Sequence, residues 1–472
     1  MSPTSPEQRI GSFVADLEYR DVPDEASGTI ERAVLDTIGV TLAGTAAQAG
    51  RATTRADGPD PDTADAASLL GLDASAPPAS VALRVGTASH ALDYDDLSWA
   101  MDGHPSVTLV PALLALADAD TSGQDLITAY AAGFETECAV AEPISPAHYE
   151  RGWHATATFG TFGATAAAAH LLGLDADRTA TAMSIAASTV AGLKRNFGSM
   201  TKPLHAGLCC RAGVTAARLA RDGLSADATA VSGDGGFWDL YGPAGNEDGG
   251  VDAADAADTT AADAEAGGPD AFSIGDRWRL TDVGINAKAY PCCYFTHTAI
   301  AATQDIRDRE SLDPGTIEDV TVTASPGAAD ALSHPDPTTG LEAKFSMEYC
   351  VASAAVRDRI GLGTFDDDAI DDPAVQRVRE RVTHRTDADL AYDAHASTVR
   401  IETDDGTTYR RELERPPGTH DDTLSAAAYR RKFIDCATVV LEEPVATDLH
   451  DVLTSLADVE SVPAAIAAVE GR

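Results

Sequence analysis

Four short stretches of the sequence gather side chains able to bind anions or move protons. The first is Ser89-His90-Ala91-Leu92-Asp93-Tyr94-Asp95-Asp96, followed closely by Asp102-Gly103-His104-Pro105-Ser106. Asp93 and Asp96 are spaced to share a helical face, where like charges raise one pKa unless a cation or histidine intervenes. Asp93 and His104 read as functional groups, whereas Asp95 and Asp96 read as capping and turn residues of an acid-rich chain. The second stretch is Gly152-Trp153-His154, set directly before a run of small residues with helical spacing. The positive end of a helix dipole keeps an imidazole neutral, so His154 is open to two readings: a base, or a simple cap. The third, Ser199-Met200-Thr201-Lys202-Pro203-Leu204-His205, puts an ammonium and an imidazole three residues apart ahead of a helix. The fourth, Asn286-Ala287-Lys288-Ala289-Tyr290-Pro291-Cys292-Cys293-Tyr294, sets a lysine beside a rigid aromatic-proline turn suited to anchoring a carboxylate. Lys344, in Glu342-Ala343-Lys344-Phe345-Ser346, is a weaker fifth element.

The rarity of lysine sharpens this pattern. Of 34 basic residues only five are lysine: Lys194, Lys202, Lys288, Lys344 and Lys432. Four of the five fall in or beside the polar motifs, which points to an anionic substrate; Lys432, in Arg430-Arg431-Lys432, reads as ordinary surface charge. Other chemistries find no template. The seven cysteines are scattered, include no C-x-x-C, and suggest neither a disulfide scaffold nor a zinc or iron–sulfur site. Glycine-rich nucleotide loops, the G-x-S-x-G elbow and H-E-x-x-H are all missing from the sequence. A metal held by Asp93, His104 and His154 would have no recognised ligand spacing.

The elements that must position these groups are mostly helical. Apolar residues recur at helical spacing over Ile30–Leu42, Val107–Ala119, Leu126–Val140, Thr156–Leu172, Thr179–Val190 and His205–Ala220. Residues 243–270 are an Ala/Asp/Gly stretch expected to form a solvated, mobile loop. Beyond it, Val320, Val322 and Ala324 alternate, as do Val399 and Ile401, and Asp405-Gly406 marks a hairpin. Helices are expected over Thr298–Arg309, Glu342–Arg357, Ala374–Val382, Leu424–Val440 and Leu449–Ala467. The fold class is therefore mainly α: a large helical domain built from residues 1–275 and 416–472, with an inserted α+β domain at 276–415. The net charge of −41 argues against nucleic-acid or membrane partners and suits a chain working in multimolar salt. The start, MSPTSPEQRI, has no basic or apolar leader segment, so a soluble cytoplasmic protein is expected.

The succession HALDYDD, GHPS, GWHATATFGTFGAT, MTKPLHAG, NAKAYPCCYFTH and TGLEAKFSMEYCVASA, in this order, resembles the MmgE/PrpD family. That family contains 2-methylcitrate dehydratases, cis-aconitate decarboxylases and iminodisuccinate epimerases. The resemblance runs from the Leu35-Asp36-Thr37-Ile38-Gly39 helix to the C-terminal helices. It implies a homodimer, catalysis without metal or cofactor, and a pocket between the two domains. Carried over by position, that pocket comprises Asp93, His104, His154, Lys202 and Lys288, with His205 and Lys344 as substrate-binding residues. Where the dehydratases and decarboxylases often carry a Thr after the Asp-rich motif, this chain has Leu97. Where the dehydratases carry an Asp after His-Pro-Ser it has Val107, and where the decarboxylases carry a histidine it has Cys293.

Reactions of this family develop negative charge on a polyanionic substrate, so they need fixed cations with a base and an acid within reach. The expected division of labour gives Lys202 and Lys288 the carboxylates. His104, oriented by Asp93, exchanges the proton, and His154 protonates a departing hydroxyl or positions a carboxylate. The expected function is a cofactor-free lyase on a small di- or tricarboxylate, foremost a 2-methylcitrate dehydratase of propionate metabolism. A cis-aconitate decarboxylase or iminodisuccinate epimerase is the alternative within the family. A non-catalytic carboxylate-binding protein and a metal-dependent hydrolase are the alternatives outside it.

Overall fold

The computed structural model describes residues 4–57, 65–72, 76–243 and 272–469. Small residues at helical spacing let the first half pack as closely stacked helices. Six of them frame the site, α1 (Asp24–Ala46), α2 (Pro78–Ser89), α3 (Ser106–Leu114), α4 (Gly123–Ala141), α5 (Ala155–Leu171) and α6 (Thr201–Arg221), together with α7 (Ala426–Ala437) from the C-terminal part. Helix α6 lies against α2 and α5, and α5 against α4. The α2–α6 crossing is glycine-dependent: a Cβ on Gly207 would fall 2.2 Å from the Leu83 carbonyl oxygen. Near the other chain end, α7 returns to pack on α1. Accordingly Phe433, Leu449 and Ile466 share one buried apolar core with Ile10, Ile38 and Phe134.

A second core runs from Cys292 to Ile401 and holds the only sheet among the described residues. Its strands are β1 (Ile317–Ala324), β2 (Val382–Thr386), β3 (Ser397–Thr403) and β4 (Thr408–Leu413), in the order β2-β1-β3-β4. Strand β1 pairs antiparallel with β3, matching Val320 with Ile401 and Val322 with Val399, so the alternating apolar residues point to one face. The β3–β4 hairpin turns at Asp405-Gly406, with Gly406 at φ 82°. The fold is thus mainly α with a smaller α+β part.

Several boundaries differ from expectation. The helix expected over Glu342–Arg357 is two, Gly340–Ala343 and Met347–Val356, because Ser346 leaves the helix to cap the second through the Tyr349 amide. The helix expected over Ala374–Val382 ends at Arg379, and Val382 instead opens β2, parallel to β1. Leu449–Ala467 divides into Glu443–Leu453 and Val462–Ala468, and α3 stops at Leu114. The acidic stretch 243–270 lies, except for Pro243, outside the described residues. Among the described residues no helix is long and apolar enough to cross a membrane.

Candidate active site

The segment between α2 and α3 forms the heart of the site. It is pinned by two short bridges, Leu97 to Asn286 and Ser98 to Gly103, and by the Ser98 hydroxyl donating to the Gly284 carbonyl at 2.7 Å. At Asp93 the backbone is left-handed, with φ 53°, a conformation an L-residue holds only when its surroundings impose it. Three lysines impose it here. Lys344 donates to the Leu92 carbonyl, Lys288 to the Asp93 carbonyl at 2.9 Å, and Lys432 to the Tyr94 carbonyl at 2.7 Å. Lys202 adds an ion pair with the Asp93 carboxylate, and Lys288 Nζ lies 3.2 Å from its other oxygen. Four of the five lysines therefore converge on three consecutive residues. Lys432 is not surface charge: it is 3% exposed and paired with Asp36 at 2.7 Å.

Burial alone would raise the Asp93 carboxyl, but Lys202 and Lys288 outweigh it and hold Asp93 well below the usual carboxylate range. Burial opposes the charge on Lys288 too, yet Asp93 raises its pKa. Lys344 grips neutral carbonyls, and burial brings it down to about 8 against the opposing pull of Asp93.

His104 is oriented by Asp95 rather than by Asp93. Its Nδ1 lies 2.9 Å from Asp95 Oδ2 and 2.7 Å from the Asp96 carbonyl oxygen, and its backbone N–H donates to Thr156 Oγ1 at 3.1 Å. Gly103 permits this approach, since a Cβ there would sit 2.8 Å from the Thr156 amide nitrogen. Asp95 also receives His90 Nδ1 at 2.9 Å. Burial would raise Asp95, but His90 and His104 overcome it and keep the carboxylate ionised. Asp96 faces the other way, accepting from the Ser106 backbone N–H at the start of α3, and burial lifts its pKa to about 8. His154 is the residue preceding α5, 2% exposed, with Nδ1 3.0 Å from His205 Nδ1. Burial first, then His90 and Lys202, lower its pKa well below the ordinary imidazole value, so it is neutral.

These groups open onto a cavity of about 110 Å³ at the seam between the two cores. Asp93, His104, His154, Lys202 and Lys288 all line it, as do Leu97 and Cys293. His205 and Lys344 stand behind the wall: the first touches His154, and the second holds the chain under Asp93. Cys293 is no nucleophile, because burial pushes its thiol up to about 12. The mouth is acidic, with Asp102, Glu150 and Asp393, and the carboxyl of Asp102 is raised to about 6 by burial and by Asp393. His90, Asp95 and His104 form the one group among the described residues whose ligand-type atoms lie close enough for a metal, within 4.8 Å. Nδ1 of both histidines is engaged with Asp95 Oδ2. Sequence spacing missed His90 and Asp95, since their pairing with His104 depends on the reversal of the chain at 97–103.

Comparison with known proteins matches residues 8–247 to the MmgE/PrpD N-terminal domain and residues 290–456 to the MmgE/PrpD C-terminal domain. Among curated relatives, the cis-aconitate decarboxylase of Mus musculus is 25% identical over 96% of this chain and 91% of its own length. A cis-aconitate decarboxylase-like protein of Aspergillus oryzae, oryM, is 26% identical over 98% and 96% respectively. The cis-aconitate decarboxylase of Homo sapiens is 26% identical over 82% and 78%.

Proposed function

The chain belongs to the MmgE/PrpD family, and from that premise we propose that it is a lyase acting on a small di- or tricarboxylate. The observation carrying this reading is the pairing of two ammoniums, Lys202 and Lys288, with the single carboxylate of Asp93 beside two imidazoles in one cavity. One positive charge is left over to meet a substrate carboxylate and the charge that develops next to it. His104 Nε2 exchanges the proton, because Nδ1 is committed to Asp95 and the Asp96 carbonyl. Neutral His154 donates a hydrogen bond to a carboxylate or a departing group, with His205 holding its ring. Lys344 serves the reaction by fixing the turn rather than by touching substrate.

Within this class, decarboxylation of a cis-aconitate-type substrate is favoured by the relatives, two named as cis-aconitate decarboxylases and one as decarboxylase-like. Dehydration of 2-methylcitrate is the second reading, favoured by Cys293, which lines the cavity where decarboxylases resembling this chain carry His. An NMR assay in concentrated KCl against cis-aconitate, 2-methylcitrate, citrate and iminodisuccinate, run in D₂O, separates them. Loss of a carboxylate, loss of water and deuterium exchange without net change identify decarboxylase, dehydratase and epimerase in turn. Inertness toward all four, with binding retained, would overturn the lyase reading in favour of a carboxylate-binding protein.

A further inference from the structure

His90 takes no part in the functions so far assigned, yet it is buried to 1% exposure in the middle of the histidine cluster. Its ring lies 4.7 Å from that of His104 and 5.9 Å from that of His154, nearly parallel to the latter. His90 Nδ1 and His104 Nδ1 each stand 2.9 Å from the same oxygen, Asp95 Oδ2. An ionised carboxylate has no proton to give, so each short contact requires N–H on the ring. The 2.7 Å contact of His104 Nδ1 with a backbone carbonyl oxygen demands the same proton independently. Both rings therefore carry a proton on Nδ1, and in the neutral ring this leaves His104 Nε2 as the free lone pair. Asp95 Oδ1 and His90 Nε2 have no hydrogen-bond partner among the described residues, so the fork on Oδ2 is the whole of their polar anchoring.

We infer that His90 is a positioning residue: by donating to the Asp95 oxygen that also holds His104, it fixes that carboxylate and the tautomer in which His104 meets substrate. The inference rests on His104 as the proton carrier of the proposed lyase. It also carries a consequence for basicity. A carboxylate shared between two donors stabilises the His104 imidazolium less than one committed to His104 alone. Burial brings His90 to about 4, so over the working range it acts as a fixed neutral donor. The other charged and titratable groups facing this pair are Asp93 and Lys202, His154 from the start of α5, Asp96 on the same segment, and Asp36 with Lys432 behind it. Lys288 also acts on Asp95, and of all these groups Asp93 and His154 feel His90 as well, so the His90 variants are read at His104 itself.

The test is a ¹⁵N-histidine NMR titration of the free protein in concentrated KCl, with the His104 signal assigned by its loss in His104→Gln. In the unaltered protein both His90 and His104 should show the Nδ1–H pattern; an Nε2–H pattern at either ring overturns the inference without any His90 variant. His90→Phe removes the donor and should raise the His104 titration midpoint by about one pH unit, a tenfold change in acidity. His90→Asn, whose amide can donate from nearly the same place, should restore the midpoint. An unchanged midpoint in a folded His90→Phe protein overturns the inference. The titration needs no substrate, so a shifted midpoint in a protein inert to every carboxylate would sink the lyase reading and leave the role of His90 standing.

Discussion

At the scale of residues, the arrangement separates groups that hold charge from the group that moves a proton. His104→Gln keeps a polar side chain and leaves the Lys202–Asp93–Lys288 cluster untouched. On the proposed substrate it should lower kcat by roughly 10²–10⁴-fold with little change in KM. Lys202→Met should instead raise KM as well, because it removes the ammonium that reaches both Asp93 and the cavity. Steady-state kinetics of the two variants check this, and equal effects on kcat and KM in both would remove the division of labour. These residues were legible in the sequence because each stands in a motif with its own chemical character. Their partners were less so: Asp93 belongs to the lysines and Asp95 to the histidines. Local spacing could not distinguish two aspartates two residues apart.

At the scale of elements, the turn after α2 is held from four directions, by lysines carried on α6, α7 and the segments around 288 and 344. The helix α7 shows why part of this was missed and how it could have been read. Arg430-Arg431-Lys432 looks like exposed charge, but Tyr429, Lys432, Phe433 and Cys436 recur at the spacing of one helix face, and all four are buried. Lys432→Met strands the buried Asp36 carboxyl and the Tyr94 carbonyl, and should cost about 3–5 kcal/mol in denaturant unfolding. A loss under about 1 kcal/mol would mean that the turn is held without it. The start of α3 gives a pH prediction through Asp96. With a folded pKa of about 8, raised above the ordinary 3.8, Asp96 binds a proton more tightly in the folded than in the unfolded chain. Its contribution is full below pH ~4 and is lost as pH rises from ~4 to ~8. Asp96→Asn should therefore flatten the fall in stability over that interval, measured by unfolding at fixed KCl; an unchanged slope would assign the fall to other groups. The parallel strand β2 was illegible for a different reason. Only Val382 of its five residues is buried, so it carries no alternation to read.

At the scale of the whole molecule, a chain of net charge −41 must admit an anion, and the cavity mouth repeats the problem locally. Asp102, Glu150 and Asp393 line the approach, while the lysines lie deeper and are partly spent on Asp93. In dilute salt these carboxylates repel an incoming polycarboxylate over a Debye length of about 10 Å at 0.1 M. At about 1 M the length falls to about 3 Å, so the shell is screened while the contact between substrate and Lys202 persists. KM should then fall as KCl rises toward molar concentrations, within the range where unfolding measurements show the fold constant. Asp393→Asn removes one rim charge without touching the proton-transfer groups. It should lower KM most at the lowest salt and converge on the unaltered protein at high salt, with kcat unchanged. If KM instead climbs steadily with salt, attraction by the lysines governs the approach and the acidic mouth exerts no control over it. If KM falls but Asp393→Asn leaves its salt dependence untouched, the repulsion belongs to the global shell and not to the mouth.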